Sequence, residues 1–427
     1  MNIINKLKLI IRLTMLAVIS ALLIVLMVLP ACKPTNHFSN IQSFEEFESY
    51  LDKVVAGDIA FRNKIAEIPA GLSIVIVHNN QMVYSNGFGL ADGPKDIEAT
   101  PDTVYMWWSM TKMVTATAIM QLYDQGLVGL DAQVYDYLEY FPVEHSVTVR
   151  QLLNHSAGLP TSETDFFVEI SLDGETSLNT DHIAKAYCGE LTRTSFEPGK
   201  SAVYSNKHYI LLGQIVAEVS GQTYIEYIKE NILIPLGMDK TDFTYSEAMI
   251  TNAAVSAVPV VDTGEFVSTL DEHRGLGNSI DFILKVDDKY TWIKRLNCIA
   301  ASGGLIGSIT DVIRFVQMHL NGGEVDGVRI LSQQSVTVMQ EMQLSTSGDP
   351  LGFGLGWLIE DSGEHRYVEH GGSGWFLGAT MMRLYPDDGL GIVIMGNTGP
   401  DYDRKDIIDA AANVIFTMLR THNSKAN

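Results

Sequence analysis

Apolar residues recur at three-to-four spacing in some stretches of this 427-residue chain and crowd together at strand density in others, and the two patterns sort it into elements. Residues 44–56 (FEEFESYLDKVVA) carry helical spacing and predict a leading helix. The apolar run 71–77, the turn Asn79-Asn80-Gln81 and the return run 82–89 predict a hairpin. A turn at Thr100-Pro101-Asp102-Thr103 precedes apolar positions Ala116, Ile119, Met120 and Leu122, ending at Gly126. That order predicts a helix starting near Ser109. A short helix over 147–160 stops at Gly158 and Pro160. From about 161 to 300 the pattern reads as mainly helical with long loops. Within it, 204–221 carries a stripe of Ile210, Leu211, Ile215, Val216 and Val219 closed by Gly221, and 224–236 gives another helix. Residues 251–299 have no legible period. A helix follows at 310–320, then strand patterns at 367–370, 379–385 and 390–395, then an amphipathic helix at 406–419.

Strands therefore sit at both ends of the sequence with helices between them. The expected fold class is α/β (α+β): one antiparallel sheet built from both chain ends, flanked by the terminal helices, with a mainly helical insert at about 120–300. A cleft is expected at the seam between sheet and insert. In domain terms, 32–60 is a linker and leading helix, 61–420 the catalytic domain and 421–427 a tail.

Residues 1–31 read as a targeting segment outside the fold. Lys6, Lys8 and Arg12 precede an almost unbroken apolar run, 13–29. Leu29-Pro30-Ala31-Cys32 then resembles a bacterial lipobox, with Cys32 as the lipidation site. An uncleaved transmembrane anchor is the alternative. Both place the domain outside the cytoplasm, on the membrane's outer face.

Charge narrows the partners. Lys+Arg 29 against Asp+Glu 51 gives a net charge of −22, a field that repels phosphate backbones, so no nucleic acid is expected. The three cysteines, Cys32, Cys188 and Cys298, form no metal motif, and the eleven histidines show no ligand spacing. No metal and no cofactor are expected; the partners are a small-molecule or peptide substrate and the membrane. With Cys32 lipidated, Cys188 and Cys298 are left, and spacing does not decide whether they pair.

The candidate chemistry starts at Ser109-Met110-Thr111-Lys112. Serine and lysine three apart share a helix face. A desolvated lysine can take the serine's proton, and a helix start offers N–H groups to an oxyanion. Tyr204-Ser205-Asn206 adds a phenol to relay the proton and an amide to hold substrate. Tyr84-Ser85-Asn86 repeats that tripeptide inside the predicted hairpin, so it is assigned to sheet packing. His370-Gly371-Gly372-Ser373 adds a glycine-rich strand that lets a substrate backbone approach, with the Ser373 N–H as a second oxyanion donor.

In this order, Ser109-x-x-Lys112, Tyr204-x-Asn206 and His370-x-Gly372 resemble the three motifs of the serine β-lactamase and penicillin-binding-protein superfamily, most closely its class C β-lactamase-related hydrolases. Gln151 to Pro160, Phe196-Glu197-Pro198-Gly199, Pro235-Leu236-Gly237-Met238, 301–305 and 352–357 are also similar to that family, so the resemblance runs from about Gly71 to about Gly396. It implies a β-lactamase/transpeptidase-like fold and an acyl-enzyme on Ser109. Lys112 and Tyr204 would move the proton, Asn206, His370, Gly371 and Gly372 would hold substrate, and the N–H groups of Ser109 and Ser373 would bind the oxyanion. His370 stands where classical members have lysine. A histidine only partly charged near neutrality weakens carboxylate recognition and leaves esters and neutral amides as substrates. The alternatives are a true β-lactamase or D-alanyl-D-alanine carboxypeptidase, and an inactive member that binds peptidoglycan or protein.

Overall fold

The computed structural model describes residues 44–66, 71–142, 144–160, 170–172, 181–260, 263–264, 267–268, 282–286, 290–298, 300–374, 377–398 and 405–426. The targeting segment and Cys32 lie outside them. Glu48–Ala412 forms one compact unit; the described residues before and after it belong to a second. Every element that reaches the site lies in the first.

In chain order the main elements are helix α1 (Phe44–Ala66), strands β1 (Leu72–His78), β2 (Gln81–Phe88) and β3 (Val104–Met106), and helices α2 (Thr111–Asp124), α3 (Val149–Leu153) and α4 (Asn206–Ser220). Strands β4 (Ser256–Pro259), β5 (Ile283–Val286) and β6 (Tyr290–Ile293) follow, then the single turn α5 (Ala300–Gly303), strand β7 (Ile306–Ser308) and helix α6 (Ile309–Leu320). The chain closes with β8 (Leu358–Glu360), β9 (Tyr367–Ser373), β10 (Ala379–Tyr385), β11 (Leu390–Gly396) and helix α7 (Lys405–Ala426).

The main sheet has six strands in the order β8-β9-β10-β11-β1-β2, with every neighbouring pair antiparallel. The two chain ends meet where β1 pairs with β11, Leu72 opposite Gly396 and His78 opposite Leu390. Both strands are continuous apolar runs because both of their faces are buried. Helix α6 packs on this pair. Its approach is close: a Cβ on Gly391 would stand 2.4 Å from the Val316 side chain, so only glycine fits. The β1–β2 hairpin turns at Asn79 and Asn80, both at positive φ (49° and 66°), a conformation asparagine accepts and a hairpin's twist favours.

Helix α2 is buried from Thr111 to Leu122, which is why its sequence lacks a polar face. Its threonines find partners inside: the Thr117 hydroxyl donates to the Met113 carbonyl at 2.8 Å and that of Thr115 to the Ala301 carbonyl at 2.7 Å.

The insert differs from expectation. The described parts of 251–298 include strands, with β4, β6 and β5 forming a three-stranded sheet and Leu296–Cys298 pairing with Ile170–Leu172. These strands are three or four residues long, too short for an alternating pattern to register in the sequence. Among the described residues, no helix is long and apolar enough to cross a membrane.

Candidate active site

Strand β3 pairs with β7, Ile306 opposite Met106, and the ladder continues as the Trp107 N–H donates to the Leu305 carbonyl at 2.8 Å. Beyond it Trp108 adopts φ +50°, in the left-handed region that a bulky residue avoids. A 3-10 turn, Trp108–Met110, then leads into α2. Ser109 thus sits on a strained corner just ahead of a buried helix, a placement typical of sites that must hold a side chain in one geometry. Tertiary contacts enforce the corner. Trp107 is fully buried, and the Thr380 hydroxyl donates to its carbonyl at 3.0 Å. Strand β9 passes directly over Ser109: a Cβ on Gly372 would come within 2.5 Å of the Trp107 oxygen and 2.8 Å of the Ser109 nitrogen.

Lys112, one helical turn on, has no solvent exposure. Its Nζ donates to Ser109 Oγ at 3.0 Å and to the Ser302 carbonyl of α5 at 2.6 Å. Nζ also stands 5.1 Å from the centre of the Tyr204 ring and 5.7 Å from that of Tyr209. The spacing-based pairing of Ser109 with Lys112 is thus a contact in the structure. The Ser302 carbonyl had no role assigned from sequence, although the glycine-rich 301–305 stretch had been singled out.

Tyr204 and Asn206 flank Ser205, the N-cap of α4. Tyr204 is 39% exposed and its ring lies 6.0 Å from that of His370, centre to centre. Asn206 lines a narrow crevice together with Ser109, Ser373, Trp108, Cys298, Ser302 and Gly303. The other Tyr-Ser-Asn copy lies in β2, where the Tyr84 hydroxyl donates to Asp52.

His370 lies on β9 and is buried. Burial, reinforced by the nearby Lys112 charge, lowers its pKa to about 3. The expectation of partial charge near neutrality is therefore corrected: this imidazole is neutral. Its Nδ1–H donates to the Gly371 carbonyl at 2.6 Å, which leaves Nε2 unprotonated, buried and without a hydrogen-bond partner. Gly371, Gly372 and Ser373 continue β9 opposite Met381, Thr380 and Ala379. Ser109, Asn206 and Ser373 thus line one crevice, with Lys112 on Ser109, Tyr204 beside Lys112, His370 beside Tyr204 and Gly372 against the Ser109 backbone.

Sequence reasoning gave no role to His155 and His208. Both are buried, His155 between Tyr204 and His208, with the His155 and Tyr204 ring centres 4.6 Å apart. Only the position of His155 within Gln151 to Pro160 marked it. Cys188 and Cys298 are both buried, and burial pushes the Cys188 thiol up to about 12. Among the described residues, no cluster of His, Cys, Asp or Glu could hold a metal ion.

Comparison with known proteins extends these observations. The family model described as Beta-lactamase matches residues 61–414. Penicillin-binding protein 4* of Bacillus subtilis (strain 168) is 27% identical over 347 residues, 81% of this chain and 72% of that protein. Protein flp of Staphylococcus aureus (strain N315) is 27% identical over 369 residues, 83% of this chain and 64% of flp, so the match spans just under two thirds of flp's length. Among solved structures, the octameric penicillin-binding protein homologue from Pyrococcus abyssi superposes with a TM-score of 0.69 at 25% identity, covering 86% of this chain and 77% of that one. FmtA from Staphylococcus aureus shares the fold, with a TM-score of 0.64 at 17% identity over 86% of this chain and 89% of its own.

Proposed function

This chain belongs to the β-lactamase family, and from that premise we propose that it is an exported serine hydrolase of the class C-related type, cleaving an ester or amide through an acyl-enzyme on Ser109. One observation carries the reading: a fully buried lysine amine, Lys112 Nζ, lies 3.0 Å from Ser109 Oγ. In the proposed cycle Ser109 Oγ attacks the substrate carbonyl carbon and gives its proton to the Lys112–Tyr204 pair. The tetrahedral oxyanion is held by the N–H groups of Ser109 and Ser373, a contribution worth about 10²–10³ in rate per donor. Collapse expels the leaving alcohol or amine, which takes the proton back. Water then attacks the acyl carbon and gives a proton to the same pair, which returns it to Ser109 Oγ as the acid leaves. Asn206 orients the acyl group.

The neutral His370 supports uncharged acyl donors, because it offers no cation to a substrate carboxylate. A second reading, penicillin recognition or D-alanyl-D-alanine cleavage, is favoured by the names of two similar proteins, both called penicillin-binding. Export rests on the n-region, the apolar run and Cys32, which support a lipid-anchored protein of the cell envelope.

The test is to incubate the full chain and its Ser109→Ala variant with a fluorescent fluorophosphonate and, separately, with a labelled penicillin. Ser109-dependent labelling by the first probe alone supports an esterase-type enzyme. Labelling by both supports the second reading. No Ser109-dependent labelling by either sinks the hydrolase proposal.

A further inference from the structure

His155 follows helix α3 and its Asn154 cap, at φ +61°, and is 2% exposed. Nothing in the proposed chemistry uses it, yet it holds the chain on both sides of Tyr204. Its carbonyl accepts the Val203 N–H at 2.9 Å. Its Nδ1 accepts the Ser205 N–H at 3.2 Å. Its ring tilts by 40° against the Tyr204 ring, 4.6 Å centre to centre. A backbone N–H can only donate, so His155 Nδ1 is unprotonated, and in the 3.2 Å contact between the two Nδ1 atoms His208 is the donor, sharing the single His155 Nδ1 lone pair with the Ser205 N–H. Burial lowers the pKa of both rings, which keeps this arrangement neutral. The rings of Tyr209 and Phe353 close the other sides of His155, 5.3 and 5.2 Å away.

Tyr204 is more than a third exposed, so its side chain would be free to sample other rotamers unless something fixed its backbone and one ring face. We propose that His155 is a positioning residue: it clamps residues 203–205 so that the Tyr204 ring stays over Lys112, and His208 fixes the tautomer that makes the clamp. The proposal rests on the reading that Tyr204 shares in proton transfer. A histidine that merely filled space would be replaceable by another ring without effect on the Ser205 amide.

Two substitutions separate the parts. His155→Asn keeps an acceptor near Nδ1 and tolerates positive φ; His155→Phe keeps the ring and removes the acceptor. On the full chain, hydrogen exchange of the Ser205 amide is measured alongside hydrolysis of p-nitrophenyl acetate. His155→Phe is expected to speed Ser205 exchange at least ~10-fold as its acceptor is lost, and to lower kcat ~10-fold with KM changed less than ~2-fold. His155→Asn is expected to keep the amide protected and kcat within ~3-fold of wild type. In a Tyr204→Phe background, adding His155→Phe should change kcat less than ~2-fold, since both substitutions act through one group. Wild-type protection of the Ser205 amide in His155→Phe, or an undiminished loss of kcat in the Tyr204→Phe background, would overturn the proposal. The exchange measurement decides the clamp without activity, whereas a wild type with no Ser109-dependent hydrolysis counts against the enzymatic reading instead.

Discussion

Acidification from about pH 7.5 to about pH 5 is a perturbation whose cost follows from three buried imidazoles. Burial lowers His208, His319 and His370 each to about 3. In the unfolded chain a histidine titrates near 6.5. Between those values the unfolded state holds a proton that the folded state lacks, so stability is full above about pH 6.5 and falls as the pH drops toward about 3. By about pH 5 each imidazole has cost ~2 kcal/mol, and the three together ~6 kcal/mol, which is comparable to the ~5–15 kcal/mol that holds a typical protein folded. His155, also pushed down by burial, adds to the loss. Asp311, raised by burial, works in the opposite sense at lower pH. The assay is urea unfolding followed by tryptophan fluorescence at a series of pH values. His319 isolates one contribution: it is buried against the Phe315 and Trp357 rings and does not line the Ser109 crevice. His319→Leu should reduce the slope of stability against pH by ~1 kcal/mol per unit between about pH 4 and pH 6. A wild type equally stable at both ends of the range, or a variant with the wild-type slope, would refute the reasoning.

Lys112→Met replaces a buried amine by an apolar chain of similar length. Fluorophosphonate labelling of Ser109 should slow by ~10²–10⁴-fold, while melting stays at or above the wild-type temperature because the cost of burying a polar group is removed. Equal labelling rates would remove Lys112 from the chemistry. Gly372→Ala places a methyl against two backbone atoms of the Ser109 corner, neither of which is a flexible side chain. It should cost ~1–3 kcal/mol in urea unfolding and ~100-fold or more in ester hydrolysis, because the corner must shift; wild-type activity in a folded Gly372→Ala protein would show that the close approach of β9 is not needed.

Much of this arrangement was legible in the sequence because its signals are local. Serine and lysine three apart on a helix must face the same way, and strand runs at both ends of the chain point to one sheet. The two Tyr-Ser-Asn copies were separable by context alone: one lies in a hairpin strand, the other opens a helix after a glycine turn. What stayed hidden depends on distant partners. The neutrality of His370 follows from burial and from Lys112 across the fold, neither of which its neighbours in sequence disclose. The positive φ of Trp108 is imposed by Thr380 and Gly372, more than 260 residues away. His155 acts through a tautomer fixed by His208, 53 positions on. The strands of 256–298 are too short to carry a period, so that stretch read as featureless.

The central claim is a covalent one, that Ser109 becomes acylated, and mass spectrometry reads it directly. The full chain is quenched in acid during turnover of a slowly hydrolysed ester, and its peptides are mapped. The account predicts the acyl mass on the peptide that contains Ser109, and its absence from that peptide in Ser109→Ala. An acyl mass on any other residue, or ester turnover that continues undiminished in Ser109→Ala, would contradict it.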